Sequence, residues 1–261
     1  MVSAFILLVG FSVPVALPSQ HQQLVQRLGA SDLRTRMEAV SDLQAQSASD
    51  RLVLADRTVQ DAVVSLLETE NARVAKHTAS FRKTGKDELT EAYSEYYAQV
   101  LGLANNLRKP GLLSNPALLA RLRRALVLGV YNPDSEFARD LAREGEPIVP
   151  LVLELTRMPD GPSKWNGYGL IGELFAGQEA RALAVPLSAS SAASLRAAAR
   201  AGLLDPAPDV RRSAISAVLK ARDRAAIPVL ERLAQSDPDV DQGPAKYSVR
   251  SLAAEALRRL R

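Results

Sequence analysis

The residue types and spacing closest to a known chemistry are three alternating aspartates, Asp237, Asp239 and Asp241. Alternating carboxylates are how calcium loops surround an ion with hard oxygen ligands. Such a loop wants Gly at its sixth position and a bidentate Glu at its twelfth. Here those positions hold Gln242 and Ser248, and Gly243 falls one residue late. The expectation is a solvated, aspartate-capped loop without tight calcium binding. Lys83-Thr84-Gly85-Lys86-Asp87 shares only composition with a phosphate loop, because the glycine spacing and the preceding strand are missing. Glu88, Glu91 and Glu95 share a helical face with no histidine at matching spacing, which reads as a solvated acidic face. The chain has two histidines, His21 and His77, and no cysteine. Disulfides and thiolate metal sites are excluded, and no Ser-His-Asp constellation is legible. The residues point to no catalytic group, no cofactor and no metal, although carboxylates paired only in space stay open.

What positions these residues is a helical repeat. The first copy, Asp205 to Gln235, reads DPAPDVRRSAISAVLKARDRAAIPVLERLAQ, and the second begins at Asp237. Val210-Arg211 aligns with Val249-Arg250 at an offset of 39, and Ala214, Ala217 and Val218 then fall on Ala253, Ala256 and Leu257. Asp205-Pro206 and Asp237-Pro238 are turn and helix-start signals. From Val249 the apolar positions Leu252, Ala253, Ala256, Leu257 and Leu260 make one helical stripe, with Arg250, Glu255, Arg258 and Arg259 outside it. Ile227-Pro228 opens a second helix, since proline is tolerated in a first turn. A helix pair this small must stack on neighbours to bury its apolar faces.

The pattern D-P-x-x-x-V-R-x-x-A-x-x-A-L followed by x-A-I-P-x-L resembles HEAT-like repeats, of the kind related to the phycobilisome-lyase group. Val218 replaces the usual Leu, and Asp241 to Ser248 is an insertion. The resemblance implies an all-α, HEAT-like α-solenoid, a superhelix of antiparallel helix pairs. It covers residues 205–260 and carries little information on function, because such repeats serve many scaffolds and some enzymes.

The 261 residues are 47% hydrophobic and 24% charged, enough for a sizeable core. Net charge is +4, and residues 196–261 hold 13 basic and 8 acidic groups, an excess of five. That excess suits nucleic acid, anionic lipid or acidic protein, or is an arginine-rich solvated surface. Residues 1–19 carry no charge and include the interrupted apolar run AFILLVGFSVPVAL. Length and position match a secretory signal peptide cleaved between residues 17 and 22; a retained anchor and a buried first helix are the alternatives.

Along residues 20–261, expected to be one helical-repeat domain, residues 22–107 read as degenerate repeats and 112–261 as HEAT-like ones. Leu24 and Leu28 mark a helix, and Leu33, Met37, Val40 and Leu43 a second. Residues 44–50 read as a polar linker, and 59–75 as a helix through Val63, Leu66 and Leu67. The longest helix is expected over 87–107, with a tyrosine stripe at Tyr93 and Tyr96. Asn115-Pro116 and Asn132-Pro133 start two more, and Glu146-Pro147-Ile148-Val149-Pro150 echoes Ile227-Pro228. Residues 160–169, with three glycines and a proline, read as a loop carrying Trp165 and Tyr168.

Function follows only in outline. The expectation is a non-enzymatic protein-interaction scaffold, periplasmic or secreted, with a membrane attachment only if residues 1–19 are retained. Trp165, Tyr168, Arg211 and Arg250 are the candidate partner-binding residues. Trp165 could instead seal a repeat junction, and the two arginines could bridge to an Asp of the adjoining repeat. Nucleic-acid binding through a basic concave face is the first rival, and a lyase-like enzyme the second.

Overall fold

The computed structural model describes residues 20–49, 51–84, 90–109, 111–129, 136–159, 162–241 and 247–261. Among them the chain forms α1 (Gln20–Leu28), α2 (Leu33–Ser49), α3 (Arg57–Thr84), α4 (Glu91–Asn106), α5 (Pro116–Leu128) and α6 (Glu136–Ala142). There follow α7 (Val149–Thr156), α8 (Pro162–Glu179), α9 (Ala189–Gly202), α10 (Pro208–Lys220), α11 (Ile227–Ser236) and α12 (Val249–Leu260). Short 3-10 turns cover Arg51–Ala55, Glu146–Ile148 and Arg224–Ala226.

The helices stack in two layers. In one, α6, α8, α10 and α12 pack side by side in that order; in the other, α3, α5, α7 and α9 do the same. The layers meet through α7 on α8 and α9 on α10, while α4 packs on α2, α3 and α5, and α11 on α12. This is an all-α, HEAT-like α-solenoid of antiparallel helix pairs. Its buried apolar side chains form one connected cluster from Leu24 to Leu260.

Local chemistry sets the helix starts. The Asn115 carboxamide oxygen accepts from Ala117 N at 3.0 Å and Leu118 N at 3.3 Å, with Pro116 in the first turn. Ser188 and Ser248 cap α9 and α12 by accepting from Ser191 N and Ser251 N. The Ile-Pro echo is a repeated device: in both places a 3-10 turn leads into a helix with proline at its second residue, Pro150 in α7 and Pro228 in α11. The α12 stripe is buried at Val249, Ala253, Ala256, Leu257 and Leu260.

Several expectations need correction. The expected linker over 44–50 is helical as far as Ser49, because Gln, Ala and Ser supply no breaker and Ser47 Oγ satisfies Gln44 O. The longest helix is α3, with 28 residues, not α4, with 16. Lys83 and Thr84 belong to α3, while Gly85 to Leu89 lie outside the described residues, as do Pro110 and the Asn132-Pro133-Asp134 start. Asp205 and Asp237 build turns rather than caps: Asp205 accepts from Ala207 N and Asp237 from Asp239 N, and the helices begin later, at Pro208 and Val249.

The largest correction is the expected loop over 160–169. Asp160 and Gly161 lie outside the described residues, but α8 runs from Pro162 straight through Trp165, Gly167 and Tyr168. The helix is packed between α7 and α10 on both sides, so it has no single apolar stripe. Its glycines serve close approach. A Cβ on Gly167 would come within 2.8 Å of Leu155 Cβ on α7, and one on Gly172 within 2.9 Å of Lys220 Cδ on α10.

Candidate interaction surface

The sequence-predicted residues do not share one surface. Tyr168 is 3% exposed, its ring lying where a Cβ on Gly202 would come within 2.5 Å of it. Burial, with Asp205 nearby, pushes its phenol pKa up. Trp165 is half-buried against the core, and its indole Nε1 is shut from solvent without a hydrogen-bond partner. Arg211 is 7% exposed. Its guanidinium meets the Asp237 carboxylate at 2.8 Å through both Nη2 and Nε, and Nη1 donates to Asp205 O and Pro206 O at 2.8 and 2.7 Å. Arg250 is half-buried and donates through Nε to Asp237 O at 2.5 Å. Arg211 and Arg250 thus meet at one residue, Arg211 as a bridge between repeats and Arg250 within its own, and Tyr168 is core.

Other basic side chains make similar pairs. Arg36 meets Glu70 at 2.9 Å, with exposures of 2% and 0%. Glu70 also accepts from Tyr93 Oη at 2.7 Å and Tyr96 Oη at 3.2 Å. Arg108 and Arg123 converge on Glu144 at 2.7 and 2.5 Å. Arg124 is bidentate to Glu154, Arg200 reaches Asp223 and Lys164 reaches Asp205. Each ties its own segment to a neighbouring one.

The alternating aspartates are likewise engaged by protein donors. Asp239 accepts from Arg212 Nη1 and Val249 N, and Asp241 from Ser248 N and Ser251 Oγ. The Asp241 carboxyl is held below its usual range, first by the Ser251 hydroxyl. His21 Nδ1 lies 3.1 Å from Asp56 Oδ2, and Asp56 is lowered to about 2, chiefly by the Thr58 hydroxyl. Among the described residues no group of three or more His, Asp or Glu side chains is placed to hold a metal.

A different feature stands out where α8, α10 and α12 end. A cleft of about 560 Å³ opens there, lined by Lys220, Arg222, Arg224 and Arg259, with one carboxylate, Glu179. Leu219 and Leu260 give it an apolar floor. The backbone at this edge is unusual. At the end of α10, Asp223 N bonds to Val218 O and Arg222 N to Leu219 O. At the end of α8, Ala182 N bonds to Gly177 O and Arg181 N to Gln178 O. This paired closure places one residue in the left-handed region, where glycine is usual. Here it is arginine both times, Arg181 with φ 53 and Arg222 with φ 49. A side chain in that conformation costs about 1–2 kcal/mol. Both arginines are exposed, so no burial offsets the cost. The sequence reading passed over these residues; the signal was Lys220-Ala221-Arg222-Asp223-Arg224, a basic run at a helix end with no glycine to close it.

No family model and no curated protein sequence matches the chain. Among solved structures it is similar to a designed armadillo repeat protein, at 14% identity and a TM-score of 0.43 over 92% of this chain and 99% of the other. A second designed armadillo repeat protein, in complex with the peptide (KR)4, gives 14% identity and a TM-score of 0.44 over 93% and 100%. An archaeal HEAT-like repeats protein from Thermococcus onnurineus gives 11% and 0.41 over 94% and 98%. The two-layer stacking of helix pairs gives this chain the fold of a HEAT-like α-solenoid.

Proposed function

We propose that the chain is a protein-binding scaffold whose recognition edge is the cleft at the ends of α8, α10 and α12. The carrying observation is the contrast between two sets of arginines. Arg36 and Arg211 at repeat junctions are buried against carboxylates of neighbouring segments, whereas Arg181 and Arg222 are exposed on backbone that disfavours them. Side chains kept at a conformational cost cluster where function needs them. Trp165, half-buried at the opposite end of α8, is not part of this edge.

The uncharged residues 1–19 support export, so the scaffold is proposed to act in the periplasm or outside the cell. Among the described residues no helix is long and apolar enough to cross a membrane. The experiment is photo-crosslinking in the native host, with the crosslinker placed at Arg224 and, as a reference, at Arg34. A discrete protein adduct from position 224 alone, together with a mature N-terminus between residues 17 and 22 by mass spectrometry, is the expected result. An adduct from neither position removes the scaffold reading at this edge, and an intact Met1 in a cytosolic fraction removes export.

A further inference from the structure

We infer that the cleft at the ends of α8, α10 and α12 receives an acidic, partly apolar segment of another protein. This rests on the scaffold reading and adds the chemistry of the partner. The first argument is donor capacity. A guanidinium carries five N–H donors. Arg224 makes no side-chain hydrogen bond or ion pair among the described residues. Arg259 has only a long contact of 4.0 Å to Glu255. Arg222 reaches Glu179, but the two side chains are 76% and 56% exposed, and so open a pair contributes little and is readily exchanged. Carboxylates are the planar acceptors that such forks bind in pairs.

The second argument separates an acidic segment from nucleic acid. Binding to phosphate backbones draws on many cations in a continuous track. Here Glu179 sits within the cleft, Lys220 lies 2.5 Å from Glu173, and Leu219 and Leu260 form the floor. A short row of donors over an apolar floor matches a few carboxylates flanking one hydrophobic side chain. The volume of about 560 Å³ accommodates a segment of that size. The third argument is the backbone. Glycine would close α10 with less strain, so arginine at 222 gives up stability to place a cation in the cleft.

The test uses the purified chain and a fluorescein-labelled decapeptide of glutamates with two central leucines, read by fluorescence anisotropy. A peptide with glutamine for every glutamate and a ten-nucleotide single-stranded DNA serve as comparisons. The glutamate peptide should bind and the other two should not. Arg222→Gly should raise the melting temperature yet weaken that binding by about tenfold or more. Charge reversal at Arg224 should weaken it similarly, and Arg34→Glu, on the 91% exposed Arg34 of α2, should not. The inference is overturned if the glutamine peptide binds equally, if the oligonucleotide binds more tightly, if Arg34→Glu is as damaging, or if Arg222→Gly lowers the melting temperature. Failure of the peptide alongside a crosslinked partner at position 224 would leave the scaffold reading standing and remove only this one.

Discussion

Arg36 and Arg211, 175 residues apart, share three kinds of partner: two upstream carbonyls and one buried carboxylate. Each donates through Nη1 to the two carbonyls five and six residues upstream, Ser31 and Ala30 in one case, Pro206 and Asp205 in the other. Each turns its Nε to a buried carboxylate, Glu70 or Asp237. Each is followed three residues later by an alanine with no exposed surface, Ala39 or Ala214. The arginine locks the turn before its own helix and ties that helix to a neighbour. The segment opening α2 thus shares the contact pattern of the repeat that opens α10.

Breaking this contact should be costly at both ends of the chain. Removing one partner of a buried ion pair leaves the other charge unpaired, a loss of roughly 3–5 kcal/mol. Arg36→Ala and Arg211→Ala should each lower the denaturant midpoint by that measure. Arg211→Ala combined with Asp237→Ala should lose less than the two single losses added. A loss under about 1 kcal/mol in either single variant would contradict the burial.

Gly145 should tolerate no side chain. Its φ is 75°, and a Cβ there would lie 1.9 Å from Val185 O, across the bridge in which Glu146 N donates to Val185 O. Strain alone costs about 1–3 kcal/mol, and the clash adds to it. Gly145→Ala should unfold earlier in a thermal melt, and an unchanged midpoint would show that this turn opens freely.

Leu257 is 9% exposed on the face of α12 that packs on α10 and α11. Leu257→Ala should cost roughly 2–4 kcal/mol. A loss below about 0.5 kcal/mol in a urea titration would mean that α12 is barely docked.

The Glu70 cluster predicts an alkaline limit. Burial, then the Glu70 carboxylate, pushes Tyr96 up to about 12 and Tyr93 higher still. A group whose folded pKa is raised stabilises the fold fully below its unfolded value, here 10.0, and loses that contribution as pH rises toward the folded one. Stability should fall steeply between about pH 10 and 12, and less steeply in Tyr93→Phe with Tyr96→Phe. Phenolate absorbance appearing at pH 10 in the folded protein, for all six tyrosines, would exclude the buried cluster.

The sequence was legible where one helix face is apolar and the other is charged. The stripe from Val249 to Leu260 and the proline-opened helices α7 and α11 were readable for that reason. It was not legible at α8, which is covered on both sides and uses glycine for close packing, so that a helix looked like a loop. The Arg36 segment reads only as a degenerate repeat because Ala30-Ser31 stand where Asp205-Pro206 stand in the later repeat, and Thr35 stands for Val210. What survived was the arginine, the alanine three residues on and an apolar residue four beyond that, Leu43 or Val218. The cationic edge was missed because φ angles of helix-closing residues are set by hydrogen bonds that no composition reveals.

Asp237 accepts from Arg211 through its carboxylate and from Arg250 through its carbonyl, so a single residue fastens both α10 and α12. In a stack where each unit touches only adjacent ones, opening proceeds from the ends, one unit at a time. Because both arginines depend on this one aspartate, α12 cannot peel away without disturbing the turn that starts α10. Amide protons of the two helices should accordingly exchange with deuterium at a common rate, as one cooperative block, rather than in the graded order that a frayed terminal helix would give.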